Sequence, residues 1–239
     1  MIAPPTEITR MRRHLRRADP VMGQLLRAAG RFTLAPRLHH APFRSLSQAI
    51  ANQQLNGTAA ATILRRFVAL YPGVEFPEPQ QVLRTPDDAL RGVGFSFAKV
   101  ATLKDLAAKA QAGVVPDGES LLRMSDADII ERLTAVRGIG RWTVEMLLMF
   151  QLGRPDVLPV DDFGVRNGFR LAYGIKHMPT PRALGEFGTR WAPYRTMAAW
   201  YLWRAGDLAK LNKLPAPPVR TRIAMVKPKA TAGARRANK

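Results

Sequence analysis

The chain has 239 residues, 46% hydrophobic and 8% aromatic, enough apolar side chain to bury a substantial core. Its 37 Lys and Arg face 18 Asp and Glu, a formal charge of +19, which implies a polyanionic partner: nucleic acid before an anionic membrane surface. It has no cysteine, which excludes disulfides, thiolate zinc sites, cysteine nucleophiles and cysteine-held iron–sulfur clusters, and its four histidines lack helical ligand spacing, so neither cofactor nor catalytic metal is expected.

The start, "MIAPPTEITRMRRHLRRADP", lacks the apolar core of a secretion signal, and no run approaches the ~18 apolar residues of a membrane span. The protein is therefore expected to stay inside the cell and away from membranes. "PFRSLSQAIANQQL" places Phe43, Leu46 and Ile50 on one helical face, and "GTAAATILRRFVALYPG" resumes after Asn56-Gly57 and stops at Pro72-Gly73. In "TPDDALRGVG", Thr85 reads as a cap with Pro86 first in the helix and Asp88 in the first turn. "SFAKVATLKDLAAKAQAG" runs from Ser96 to Gly113, and "SDADIIERLTAV" starts at Ser125 with Asp128 three residues on, a capping box with Asp for Glu. "TPRALGEFGTRW" repeats the Thr-Pro start, "YRTMAAWYLWRAGDLA" is apolar on most of its surface, and strand alternation is absent. An all-α fold follows. From "LPAPPVRTR" onward the chain reads as a disordered basic tail; residues 215–239 hold seven basic residues and no acid, so most of the excess charge belongs to the folded body.

"VRGIGRWTVEMLL" joins two helical stretches through Gly138 and Gly140. Glycines there let the backbone approach a ligand, and the following helix opens with outward amides at its positive end, an anion site suited to a DNA phosphate. Taken alone, the glycines favour an ordinary helix–helix turn; the basic charge and the flanking pattern reverse that in favour of a phosphate site. Downstream, "VLPVDDFGVRNGFRLAYG" places Asp161 and Asp162 at a helix start, where capping is the plain explanation and a catalytic carboxylate the functional one.

Together, "LTAVRGIGRWT", "VLPVDDFGVRNG", "FRSLSQAIANQQLNGTAAATILRRF", "GVGFSFAKVATLKDLA" and "YRTMAAWYLW" resemble the helix-hairpin-helix DNA glycosylase superfamily, within it the 3-methyladenine DNA glycosylase II type, over about residues 42–205. The resemblance implies a helix-hairpin-helix plus Gly/Pro-rich loop and aspartate architecture with two helical lobes flanking a DNA-binding cleft. Residues 42–158 would form a central lobe holding the hairpin at about 126–153, and residues 1–41 with 159–214 a second lobe from the chain ends. The stretch ahead of residue 42 is expected to be too short for the separate amino-terminal domain of some larger members.

By the same resemblance the catalytic aspartate is Asp162, Asp161 being a cap or supporting group. A cationic alkylated base leaves readily, so one carboxylate suffices to stabilise the oxocarbenium-like sugar and direct water at it. Trp142 stands where strand-cleaving relatives carry the Schiff-base lysine, so a monofunctional enzyme is implied. Trp142 and Trp203 match tryptophans that wall the pocket for a flipped base, with Phe163 and Gln53 beside them; for both tryptophans a place in the core is the competing explanation. Gln54, or its rival Leu55, would be the wedge filling the gap in the duplex; for Gln53, Gln54 and Leu55 solvation of the helix end is an equal competing explanation. Amides of Gly138, Gly140 and Thr143, with Arg141, would contact the DNA backbone, and family members hold a monovalent cation on carbonyls that here belong to Thr134, Val136 and Ile139. Met146 and Phe163 depart from the larger members, which leaves the substrate range open. The expected partner is damaged double-stranded DNA bound by a monomer. The competing functions are a noncatalytic helix-hairpin-helix DNA-binding module and a glycosylase for deaminated or oxidised bases.

Overall fold

In the computed structural model the described residues are 5–36 and 41–217. They are helical throughout, with no strand among them. In chain order the helices are α1 (Pro5–Ala18), α2 (Pro20–Ala28), α3 (Pro42–Asn52), α4 (Gly57–Ala69), α5 (Pro79–Arg84), α6 (Asp87–Gly92) and α7 (Phe97–Gln111). They continue with α8 (Gly118–Arg123), α9 (Asp126–Thr134), α10 (Arg141–Phe150), α11 (Phe163–Ala172), α12 (Pro181–Gly188) and α13 (Arg195–Lys210), with a 3-10 turn at Thr189–Trp191 before the last. The helices split into two compact units, one spanning Thr33–Val157, the other made of residues up to Phe32 together with those from Leu158. The sequence boundary at residue 42 thus lies nine residues past the start of the first unit, which includes the segment at Pro36 that packs on Gly153. The basic tail beyond Pro217 lies outside the described residues.

The first unit is organised on α7, whose buried Val100, Leu103, Leu106 and Ala107 pack against α3 and α5. Phe67 of α4 is fully enclosed, with edge-on rings of Tyr71, Phe76 and Phe95 about it at 5.5–5.8 Å. In the second unit α13 is the central rod, packing on α11 and on α2. Its Ala198, Ala199, Tyr201, Leu202 and Ala205 are buried, so the short alanines let neighbouring helices come close. One carboxylate lies in that core. Asp19 caps α2 through the amides of Val21 (3.0 Å) and Met22 (3.2 Å) and accepts from Trp191 Nε1 (3.0 Å) and the Tyr173 hydroxyl. A buried charge is tolerable when it is this fully hydrogen-bonded, and burial together with Asp19 pushes the Tyr173 phenol well above the usual tyrosine range.

Helix starts follow local chemistry in most places. Asn56, Ser96, Ser125 and Thr180 each accept an amide hydrogen bond from three residues on. At Ser125 the box differs from expectation: its hydroxyl also donates to Asp128 Oδ2 at 2.6 Å. Thr85 is a correction. It closes α5 instead of opening α6, its hydroxyl donating to the Gln81 carbonyl (2.8 Å) and meeting the Tyr71 hydroxyl (2.7 Å). The cap of α6 is Pro86, which has no side-chain acceptor.

Candidate active site and nucleic-acid interface

In the first unit, the buried Val136 and Ile139 pin the turn between α9 and α10 into the core, while Gly138 between them takes φ +73, a conformation costly for any residue with a Cβ. A Cβ at Gly138 would also lie 2.6 Å from Thr102 Oγ1. Gly140 caps α10 without a side-chain hydrogen bond, as it has no side chain to offer. Thr143 is buried, and its amide closes the turn on the Gly140 carbonyl at 3.0 Å. Arg141 Nε donates to the buried Glu145 at 2.9 Å, and its side chain stays 61% exposed. Of the three carbonyls expected to hold a cation, that of Val136 already accepts the Ile139 amide at 3.1 Å, leaving it one lone pair for an ion. Trp142, on the first turn of α10, is 47% exposed, so the core explanation does not apply to it.

The hairpin is held from behind by α7, which the sequence reading did not foresee. Asp105 Oδ2 accepts the Arg137 amide at 2.7 Å and pairs with Lys109 at 2.6 Å. Partial burial opposes ionisation of Asp105, but the hydrogen bonds from Lys109 and the Arg137 amide outweigh it and hold the carboxyl below its usual range. Two turns earlier on α7, Lys99 donates to the Ala51 carbonyl at the end of α3 at 2.9 Å, and burial pushes this ammonium below the usual lysine range. Residues 99, 102 and 105 lie three apart and so share a face of α7. One face therefore supports both the hairpin and the turn after α3.

That turn carries Gln53, Gln54 and Leu55. Gln53 Nε2 donates to the Gly138 carbonyl at 3.1 Å, joining turn and hairpin directly. Gln54 is exposed in the left-handed region at φ +56, and Leu55 is 41% exposed. The structure thus brings Gln53 to the hairpin and leaves Gln54 and Leu55 at the surface of the turn.

In the second unit, Asp162 caps α11. Its Oδ1 accepts the Val165 amide at 2.7 Å and the indole N–H of Trp203 at 2.8 Å. Asp161 is exposed and does not cap the helix. The approach of Trp203 requires Gly164: a Cβ there would lie 2.8 Å from the indole Cδ1 and 3.1 Å from Asp162 Oδ1. One turn on, a Cβ at Gly168 would lie 1.9 Å from the Leu202 carbonyl oxygen, so the two glycines let α11 press on the α13 backbone and bring Trp203 to the carboxylate. The signal was present as glycines four apart in "FGVRNG", a spacing that clears one helix face. Phe163 is 67% exposed beside Asp162. No group of three or more His, Cys, Asp or Glu suited to a metal occurs among the described residues, and no helix there is long and apolar enough to cross a membrane.

A hairpin with an uncapped helix start in one unit, and an aspartate capping a helix in the other, define a helix-hairpin-helix repair scaffold. The chain belongs to the HhH-GPD superfamily of base excision DNA repair proteins, whose family pattern matches residues 47–193. Among curated proteins it is similar to DNA-3-methyladenine glycosylase 1 of Schizosaccharomyces pombe, 37% identical over 209 residues, covering 87% of this chain and 92% of the relative. Among solved structures it is similar to a 3-methyladenine DNA glycosylase of that yeast in complex with abasic DNA, at 38% identity and TM-score 0.74, covering 84% of this chain and 98% of that one. A DNA-3-methyladenine glycosidase of Bacillus halodurans matches at 35% identity and TM-score 0.76, covering 87% and 92% respectively.

Proposed function

We propose that this chain is a monofunctional base excision repair glycosylase that hydrolyses the N-glycosidic bond of alkylated bases, 3-methyladenine and related cationic bases, in double-stranded DNA. The observation that carries the reading is the Asp162 carboxylate, fixed by the Val165 amide and the Trp203 indole. Relatives named 3-methyladenine glycosylases support the substrate class.

In this reading the hairpin amides about Gly138 and Gly140 hold a phosphate, and Gln54 or Leu55 enters the base stack as the target nucleotide swings out. The aromatic faces proposed for the base are those of Trp142 on the hairpin and, beside Asp162, of Phe163 and Trp203; electron-rich rings favour a cationic base over a neutral one by about 0.5–2 kcal/mol per contact. As the glycosidic bond breaks, its electron pair leaves with the base, whose positive ring nitrogen is neutralised. The sugar carbon becomes cationic, and Asp162 stabilises it and takes a proton from the attacking water. With Trp142 in place of an amine at the hairpin, no Schiff base forms and the abasic strand stays intact. The enzyme acts as a monomer inside the cell, with the basic segment after residue 214 adding affinity that falls as salt rises.

The test is abasic-site detection on duplexes carrying 3-methyladenine, 7-methylguanine, 1-methyladenine or hypoxanthine. Asp162→Asn should release no base while binding the duplex as the parent does. Release at the parental rate by Asp162→Asn, or a borohydride-trapped covalent complex with the parent, would overturn the reading.

A further inference from the structure

The second unit holds a cationic pocket that the repair chemistry does not use. Thr9, Arg12, Arg13 and Arg16 of α1 and Gly23, Leu26 and Arg27 of α2 enclose a cavity of about 270 Å³ with no carboxylate in its lining. Positions 9, 12, 13 and 16 share one face of α1 by helical spacing. Arg12 is fixed at its edge, donating to the carbonyls of Gly30 (2.7 Å) and Leu26 (3.0 Å) and to the Tyr201 hydroxyl. The one acid of α1, Glu7, is paired with Arg10 at 3.2 Å. Among the described residues Arg13, Arg16 and Arg27 have no ion-pair partner. Gly23 is what leaves the floor open: a Cβ there would lie 3.1 Å from Arg16 Cγ.

Four guanidinium groups around one hollow repel one another, and an anion placed among them reverses the sign of every such interaction. All four are arginine, whose planar forks match the oxygens of a phosphate, and the volume takes a phosphate group with several waters at about 30 Å³ each. The pocket is separate from the repair carboxylate. Tyr201, which contacts Arg12, and Trp203, which contacts Asp162, are two positions apart on α13 and so point about 200° apart.

We propose that the α1–α2 pocket is a second phosphate site, occupied either by a phosphodiester of another nucleic-acid segment or by free phosphate or pyrophosphate. A segment bound there would let the protein hold two duplexes at once and pass between them without full release.

The triple variant R13Q/R16Q/R27Q removes the unpaired cations and keeps Arg12, which ties α1 to Gly30 and Tyr201. Two measurements use the full chain: calorimetric titration with pyrophosphate at fixed ionic strength, and release of a labelled undamaged duplex under rising unlabelled duplex. For a free anion, the parent binds pyrophosphate and the variant binds it at least about tenfold more weakly. For a second segment, competitor speeds release from the parent in proportion to its concentration, and release from the variant stays flat. Either arginine-dependent result supports the site and names its occupant; equal behaviour of parent and variant in both measurements overturns it. Neither readout needs base release, so failure of the glycosylase reading is seen separately.

Discussion

The indole N–H of Trp203 donates to Oδ1 of Asp162 at 2.8 Å, so a side chain expected to serve through its ring face makes its polar contact through its edge. Trp203→Phe keeps the ring and deletes the donor. A hydrogen bond to a charged group contributes about 1.5–3 kcal/mol, so single-turnover base release should fall at least ~10-fold with duplex affinity unchanged. Trp203→Ala should also lose discrimination between alkylated and normal purines. A Trp203→Phe enzyme at full rate would show that the contact does not position the carboxylate.

The glycines of α11 and α13 should respond oppositely. Gly168→Ala places a methyl on the Leu202 carbonyl and should cost at least ~3 kcal/mol, read as a large loss of melting temperature. Gly206 lies in α13 with nothing within 4 Å of where its Cβ would be, so Gly206→Ala should stabilise by about 0.5–1 kcal/mol through helix propensity.

Asp105 ties α7 to the hairpin, and Asp105→Ala should lower stability at neutral pH by about 1–3 kcal/mol and weaken duplex binding. The pH dependence has a definite sign. Its folded-state carboxyl is held below the ordinary 3.8, so the folded protein binds fewer protons there than the unfolded chain. Its stabilisation is complete above that ordinary value and is lost as pH falls through the folded one. The stabilities of parent and Asp105→Ala should therefore begin to approach each other as pH falls below about 4 and meet only below the lowered folded-state value. A gap that persists at low pH would assign the effect to packing.

The turn after α3 separates the two wedge candidates. Gln54 occupies a left-handed conformation that costs a non-glycine residue roughly 1–2 kcal/mol, so Gln54→Gly should be no less stable than the parent. If Gln54 is the wedge, that variant should still lose about tenfold in base release from a paired lesion, and less from a mispaired one that unstacks more easily. Leu55→Ala showing the larger loss would make Leu55 the wedge.

Much of the site could be read from local sequence because each piece is made by nearby atoms. The Gly-x-Gly turn, the uncapped start of α10 and the cap at Asp162 depend on backbone conformation within a few residues. Other pieces depended on distant partners. Thr85-Pro86 and Thr180-Pro181 are the same dipeptide, yet Thr180 opens α12, while Thr85 is drawn back to close α5 by the Gln81 carbonyl and the Tyr71 hydroxyl. Helices α1, α2, α5 and α8 escaped notice: α5 and α8 are six residues long, too short to show a period, while at α2 the Asp19-Pro20 start signal was present and passed over.

The sequence alone determined the all-helical class and the basic charge, since composition and helical period act at short range, and it narrowed the candidate carboxylate to Asp161 and Asp162, between which only the family resemblance chose. Only the tertiary structure decided that Trp142 is exposed, that Trp203 meets Asp162, that Asp105 and Lys99 brace the hairpin and the turn, and that unpaired arginines of α1 and α2 share one hollow. Those relationships join residues far apart in the chain, and close packing of helices fixes them, which no local pattern encodes.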